Sequence, residues 1–149
     1  LDLFQGLHIT GTPIDVDPAT YRLTVTGKVE RPLSLSLDDI TSRASVTKNV
    51  ELNCPGFFTD IGDWTGIPLA NLLDEAGIQE SARTVRFEAL EDSYSSTLGL
   101  TDARKGGMLI AYEFNGKPFH RLHGYPVRFV AQGQPGYVWV KWLGRIVVE

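Results

Sequence analysis

The sequence predicts an α+β fold: a β-rich, mixed-sheet domain with a few short helices. Most segments alternate apolar and polar residues with the period of two that half-buried strands need. Only one segment repeats apolar residues at helical spacing. Strands and helices do not take turns along the chain, so a doubly wound parallel sheet is not expected. Residues 1–149 are read as a single domain, because 149 residues can enclose one sizeable core.

Residues 1–20 read as an extended arm broken by Gly11, Pro13 and Pro18. Residues 21–29, YRLTVTGKV, alternate as a strand. In SLDDITSR, Ser36 is placed to cap a short helix with Asp38 and Asp39 in its first turn. Residues 46–53 read as a strand that delivers Cys54 at its end. CPGFFTDIGD, residues 54–63, reads as a turn-rich loop. WTGIPLANLLDEAGI, residues 64–78, is the clearest helix. Its Leu69, Leu72, Leu73 and Ala76 share one face, and Gly77 stops it.

TVRFEAL and SYSSTLGL read as paired strands. MLIAYEF and KPFHRL flank Asn115-Gly116, a two-residue hairpin signal. PVRFVA and YVWVKWLGRIVVE complete the strands. In the last, Val138, Val140 and Trp142 are expected on one face, with Trp139, Lys141 and Leu143 on the other.

A composition of 42% hydrophobic and 21% charged residues is ordinary for a globular chain. A net charge of −4 speaks against wholesale binding to nucleic acid, so any basic site must be local. No run is long and apolar enough for a transmembrane segment, which takes about 18 residues. A lone cysteine excludes an intrachain disulfide and a Cys-x-x-Cys pair. The chain opens on Leu1 rather than Met; if a leader precedes it, an extracytoplasmic, periplasmic location is expected.

The run HGYPVRFVAQGQPGYVWVKWLGRI, residues 123–146, joins His123, Arg128 and Lys141 to closely spaced glycines. That chemistry suits a bound anionic group held by fixed cations and main-chain amides. The plain alternative is two surface cations whose stems cover a sheet edge. Gly133 and Gly136 would let backbone approach an anion. Cys54 reads either as an inert buried thiol or as a soft ligand in the loop opened by Pro55-Gly56. His120-x-x-His123 suggests zinc only weakly, because on a strand the rings would face apart. Trp139 and Trp142 read as core, and Asp60, Asp63 and Asp92 as solvated loop carboxylates.

Taken together, these motifs resemble the sulfite oxidase family of molybdopterin-binding oxidoreductases. The resemblance runs through YRLTVTGKVERPLSLSLDDI, ELNC, DWTGIPLANLLDEAGI, FNGKPFHRLHGYPVRF and GQPGYVWVKWLGRI. It implies the family's molybdopterin-binding fold and a molybdenum-molybdopterin cofactor. By resemblance, Cys54 is the catalytic cysteine and the protein ligand to molybdenum. His123 and Arg128 would hold the pterin and its terminal phosphate, with Trp139, Val140 and Lys141 against the cofactor. His8 matches a family histidine near the pterin, and Ala89 would offer a backbone contact.

The chain departs from sulfite oxidases where these carry arginines around the substrate anion: CPGFFTD has none after the cysteine, and the arm reads FQGLH. A true sulfite oxidase is therefore not expected. The expected activity is oxygen-atom or two-electron transfer on a small neutral substrate such as a sulfoxide or N-oxide. A separate haem- or quinone-linked partner would exchange the electrons. The competing readings are a non-catalytic pterin-binding or protein-binding module with a degenerate site, and a small β-rich structural or binding protein.

Overall fold

The computed structural model describes residues 3–149; residues 1 and 2 of the expected arm lie outside them. The arm begins with a small antiparallel hairpin, β1 (Leu3–Phe4) and β2 (Leu7–His8). Gln5 and Gly6 turn it, both at positive φ. Next come β3 (Leu23–Gly27), β4 (Leu33–Leu35) and α1 (Leu37–Ser42). The cap of α1 is as the sequence suggests: Ser36 and Asp39 each bond the other's backbone N–H in a capping box.

A long hairpin follows, β5 (Val46–Cys54) with β6 (Phe58–Pro68), paired along its whole length. The expected loop over 54–63 is therefore mostly strand, and only residues 55–57 turn. Glycine and aspartate masked the alternation there: Asp60, Gly62 and Trp64 face inward, while Thr59, Ile61 and Asp63 do not. Gly62 is small because the Phe114 ring occupies the space a side chain would need. The helix α2 (Leu69–Ala76) is correspondingly shorter than the 64–78 read from sequence, because residues 64–68 finish β6. Its leucine face is buried as the spacing predicts.

The remainder is β7 (Thr84–Ala89), β8 (Ser95–Gly99), α3 (Leu100–Ala103), β9 (Met108–Phe114), β10 (Lys117–Pro118), β11 (Arg128–Ala131) and β12 (Leu143–Val148). Asn115 and Gly116, at positive φ, turn the β9–β10 hairpin. The KPFHRL strand is cut to two residues, because residues 121–123 form a 3₁₀ turn. His120 and His123 are thus not on a strand. The strand expected from residue 137 also begins late. Gly136–Val138 is a 3₁₀ turn, and Trp142 takes a positive φ just before β12. The expected division of residues 138–143 between two faces does not hold.

Two arrays result, the first mixed and the second antiparallel throughout. One is ordered β4-β3-β12-β7-β8, with β3 and β12 parallel; the other runs β5-β6-β9, with β10 and β11 also on β9. The arrays meet through their apolar faces. Phe87 of β7 stacks on Phe129 of β11, ring centres 3.6 Å apart, inside the core. The C-terminal ends of β5 and β7, the start of β11 and the irregular stretch 136–142 converge beside the N-terminal arm.

Candidate functional site

At that convergence lies a cavity of about 790 Å³, within the usual range of small-molecule sites. Six of the eight residues that the resemblance assigns to the cofactor are on its wall: His8, Cys54, Ala89, Arg128, Trp139 and Lys141. Non-strand backbone after Gly136 is what permits this, because it turns Trp139, Lys141 and Trp142 toward one space. Trp139 and Trp142 are buried, as core residues would be, yet both line the cavity.

Cys54 ends β5 with its sulfur packed against Gly136, leaving no room there for a side chain. Burial and the nearby Asp60 carboxylate push its thiol up, while Lys141 and Arg128 oppose the shift. Arg128 is buried, and no carboxylate pairs with it among the described residues. Its guanidinium donates to the His123 carbonyl at 3.3 Å and lies 4.8 Å from the Trp64 ring centre, with Nε unpartnered. Burial lowers its pKa to about 10. Lys141 donates to the carbonyl and, at 2.6 Å, the hydroxyl of Thr10. Burial, with Arg128 nearby, brings it down to about 7. Gly124, at φ +97°, fits between the Lys141 and Arg128 stems.

His123 and Val140 stand off the wall. Val140 is buried and bridges Phe129 of β11. His123 is fully buried, with Nε2 2.5 Å from the Phe4 carbonyl. A carbonyl only accepts, so Nε2 carries the proton and Nδ1 is a bare lone pair without a partner. Burial lowers the His123 pKa to about 4. Ala89 closes β7 against Leu143 and lines the cavity. Of the two expected glycines, Gly136 lines the cavity, whereas Gly133 has nothing within 4 Å of the place its side chain would fill.

Sequence reasoning missed Asp60. It is 4% exposed, not a solvated loop residue, because it sits on the inward face of β6. Its carboxylate accepts from the His8 backbone N–H at 2.8 Å and meets His8 Nδ1 at 2.6 Å. Thr10, Thr12, Tyr94 and Tyr137 were also missed on the wall. No spacing rule links them, since they come from the arm, the residue before β8 and the 3₁₀ turn. Inward alternation along β6 is the one signal that pointed to Asp60.

The buried Arg128 and the part-buried Lys141, neither with a carboxylate partner among the described residues, and the unpartnered donors Arg128 Nε and Trp142 Nε1 make an anion site. Among the described residues no three His, Cys, Asp or Glu side chains are grouped to share a metal ion. A metal here would take one protein ligand, the Cys54 sulfur, and its other donors from a non-protein ligand. No helix among the described residues is long and apolar enough to cross a membrane.

The family model described as "oxidoreductase molybdopterin binding domain" matches residues 9–149. The mitochondrial sulfite oxidase of Homo sapiens is 35% identical over 187 aligned positions, covering 99% of this chain and 34% of that protein. A nitrate reductase [NADH] of Ulva prolifera is 30% identical, over 87% of this chain and 19% of that one. YuiH, an uncharacterized oxidoreductase of Bacillus subtilis, is 30% identical over 96% of this chain and 72% of its own length. The crystal structure of the sulfane dehydrogenase SoxCD from Paracoccus pantotrophus superposes with a TM-score of 0.84 at 25% identity, covering 91% of this chain and 40% of that one. The chain thus spans about a third of the length of the mammalian mitochondrial sulfite oxidases it matches.

Proposed function

The chain belongs to the oxidoreductase molybdopterin-binding domain family, and on that premise we propose that it is a molybdenum-molybdopterin-dependent oxidoreductase whose metal is ligated by Cys54. The observation that carries this is the pairing, in one cavity, of the only cysteine with the buried Arg128 and the part-buried Lys141, neither of which has a carboxylate partner among the described residues. When bound, the group supplies a metal that cycles by two electrons and exchanges an oxygen atom with substrate.

The residues fit that group. The Cys54 thiol carries its proton in the bare cavity, and ligation would displace it. Arg128 and Lys141 would hold the pterin phosphate; an anion there restores the charged state that burial disfavours. Trp139 and the backbone at Ala89 would flank the pterin. Val140 and His123 support this wall from behind, Val140 by bridging β11 and His123 through the arm carbonyl it anchors.

The substrate is read as small and neutral, a sulfoxide or N-oxide. Phe57, Phe58, Pro55 and Leu52 supply an apolar wall beside Cys54, and the two wall cations are engaged by the cofactor in this reading. A separate haem- or quinone-linked protein would carry electrons. The chain's one cysteine lies in the cavity, and His8, His120 and His123 each hold a hydrogen bond within the fold.

The test is metal and pterin content after expression in a molybdate-fed host. One molybdenum and one pterin per chain, with molybdenum lost in Cys54→Ser, is the expected result. Folded protein from a competent host that holds neither group would refute the reading.

A further inference from the structure

Six large hydrophobic side chains are exposed among the described residues, and three of them, Phe57, Tyr94 and Tyr137, line the cavity that holds Cys54. Phe57 is 79% and Tyr137 72% exposed, so neither ring contributes to the core. Single exposed apolar residues are ordinary, whereas a cluster of them on the rim of a cavity marks a surface that a ligand covers.

The rings come from three segments, tied to one another and to the sulfur end of the cavity. Phe57 sits in the turn between β5 and β6, where its backbone N–H donates to the Cys54 carbonyl at 3.0 Å. Tyr137 belongs to the 3₁₀ turn whose Gly136 packs against the Cys54 sulfur. Tyr94 precedes β8, and its hydroxyl donates to the Tyr137 carbonyl. Pro55, Phe58 and Ser93 line the same cavity, and none of these six side chains carries a charge. Arg128 is buried and Lys141 part-buried. Fixed positive charge therefore lies inside, and aromatic surface lies at the solvent edge.

We propose that Phe57 and Tyr137 are specificity-determining residues that grip an aromatic body on the substrate, so that the preferred oxide is an aryl sulfoxide or an aromatic N-oxide. This deepens the molybdenum-pterin reading above and rests on it. Dimethyl sulfoxide and trimethylamine N-oxide carry only methyl groups and would leave the rings bare. A ring on the substrate covers them in the offset or edge-to-face contacts that aromatic pairs favour. A protein partner fits the rim less well. Three rings that cover about 150–250 Å² each when fully buried fall short of the about 800 Å² per partner of a stable interface. Reduction of methyl phenyl sulfoxide breaks its S–O bond and gives methyl phenyl sulfide and one water. It takes two electrons from the reduced metal site and two protons from water.

The experiment compares wild type, Phe57→Ala, Tyr137→Ala and Phe57→Tyr, each loaded in a molybdate-fed host and checked for molybdenum and pterin per chain. Two ratios are read. One is kcat/KM for methyl phenyl sulfoxide over dimethyl sulfoxide, with a reduced viologen dye. The other is the affinity for methyl phenyl sulfone over dimethyl sulfone, neutral analogues that resist reduction, by calorimetry. Wild type should favour the aryl compound at least tenfold in both. Each alanine variant should lower both ratios about tenfold, the size of a lost aromatic contact with its buried area. The kinetic loss should fall on KM rather than kcat, because the body is held alike before and during reaction. Phe57→Tyr should keep both ratios. Wild type that shows no aryl preference, or alanine variants that keep it with full cofactor, would overturn the inference and leave the functional reading standing. Loaded wild type inert toward both sulfoxides would remove the substrate class and the inference with it. Wild type with neither molybdenum nor pterin would overturn the functional reading itself.

Discussion

The sulfur of Cys54 occupies the space that a side chain at Gly136 would fill. The end of β5 and the 3₁₀ turn Gly136–Val138 therefore fit each other only with glycine at that position. The turn is strapped from the far side by Tyr94, whose hydroxyl donates to the Tyr137 carbonyl, and by Ser96, which donates to that of Val138 at 2.6 Å.

Gly136→Ala should displace the sulfur or the turn. Overpacking of this kind costs about 1–3 kcal/mol. Urea denaturation should show that loss, and molybdenum content per chain should fall with it. Unchanged stability and full metal content would mean that the contact is slack.

Tyr94→Phe removes one strap and leaves the packing ring. A net hydrogen bond is worth about 1 kcal/mol, so local opening of the turn should rise about fivefold. The rate of Cys54 alkylation by iodoacetamide in cofactor-free protein should rise by the same factor. An unchanged rate would show that Tyr94 does not restrain the turn.

Arg128 is a buried cation with no carboxylate partner in the cofactor-free chain. Arg128→Met should therefore leave the stability of that chain unchanged or raise it by about 1–4 kcal/mol. Pterin retention should collapse in the same variant. A large destabilisation with pterin still bound would contradict the assignment of Arg128 to the anion.

Burial, helped by Arg128 and Lys141, lowers the His123 pKa from 6.5 to about 4. Between those values the unfolded chain binds a proton that the folded chain does not. Stability of the cofactor-free protein should therefore rise from about pH 4 to pH 6.5 and lose this contribution as the pH falls back through that window. His123→Gln, which keeps an N–H for the Phe4 carbonyl, should flatten that part of the profile. Urea midpoints at pH 4.5 and pH 7 measure it.

Much of this protein is legible in its residues because the signals are local. The leucine stripe of α2, the Ser36 cap and the Asn115-Gly116 turn each depend on neighbours within a few positions, and all stand as read. Cys54 at a strand end and the cations of the 123–146 run are equally local, and they led to the molybdopterin-binding family. Tertiary structure decided the rest. The β6 strand reads as a loop because Gly62 is set by the Phe114 ring and Asp60 by the His8 ring, partners about 50 residues away. Trp142 adopts a left-handed backbone that no propensity favours, and with it Lys141 and Trp139 face one cavity. Which polar groups are buried, and against what, depends on packing between distant segments. That is why the sequence identified the cofactor chemistry while only the fold brought His8 and Asp60 together beside it.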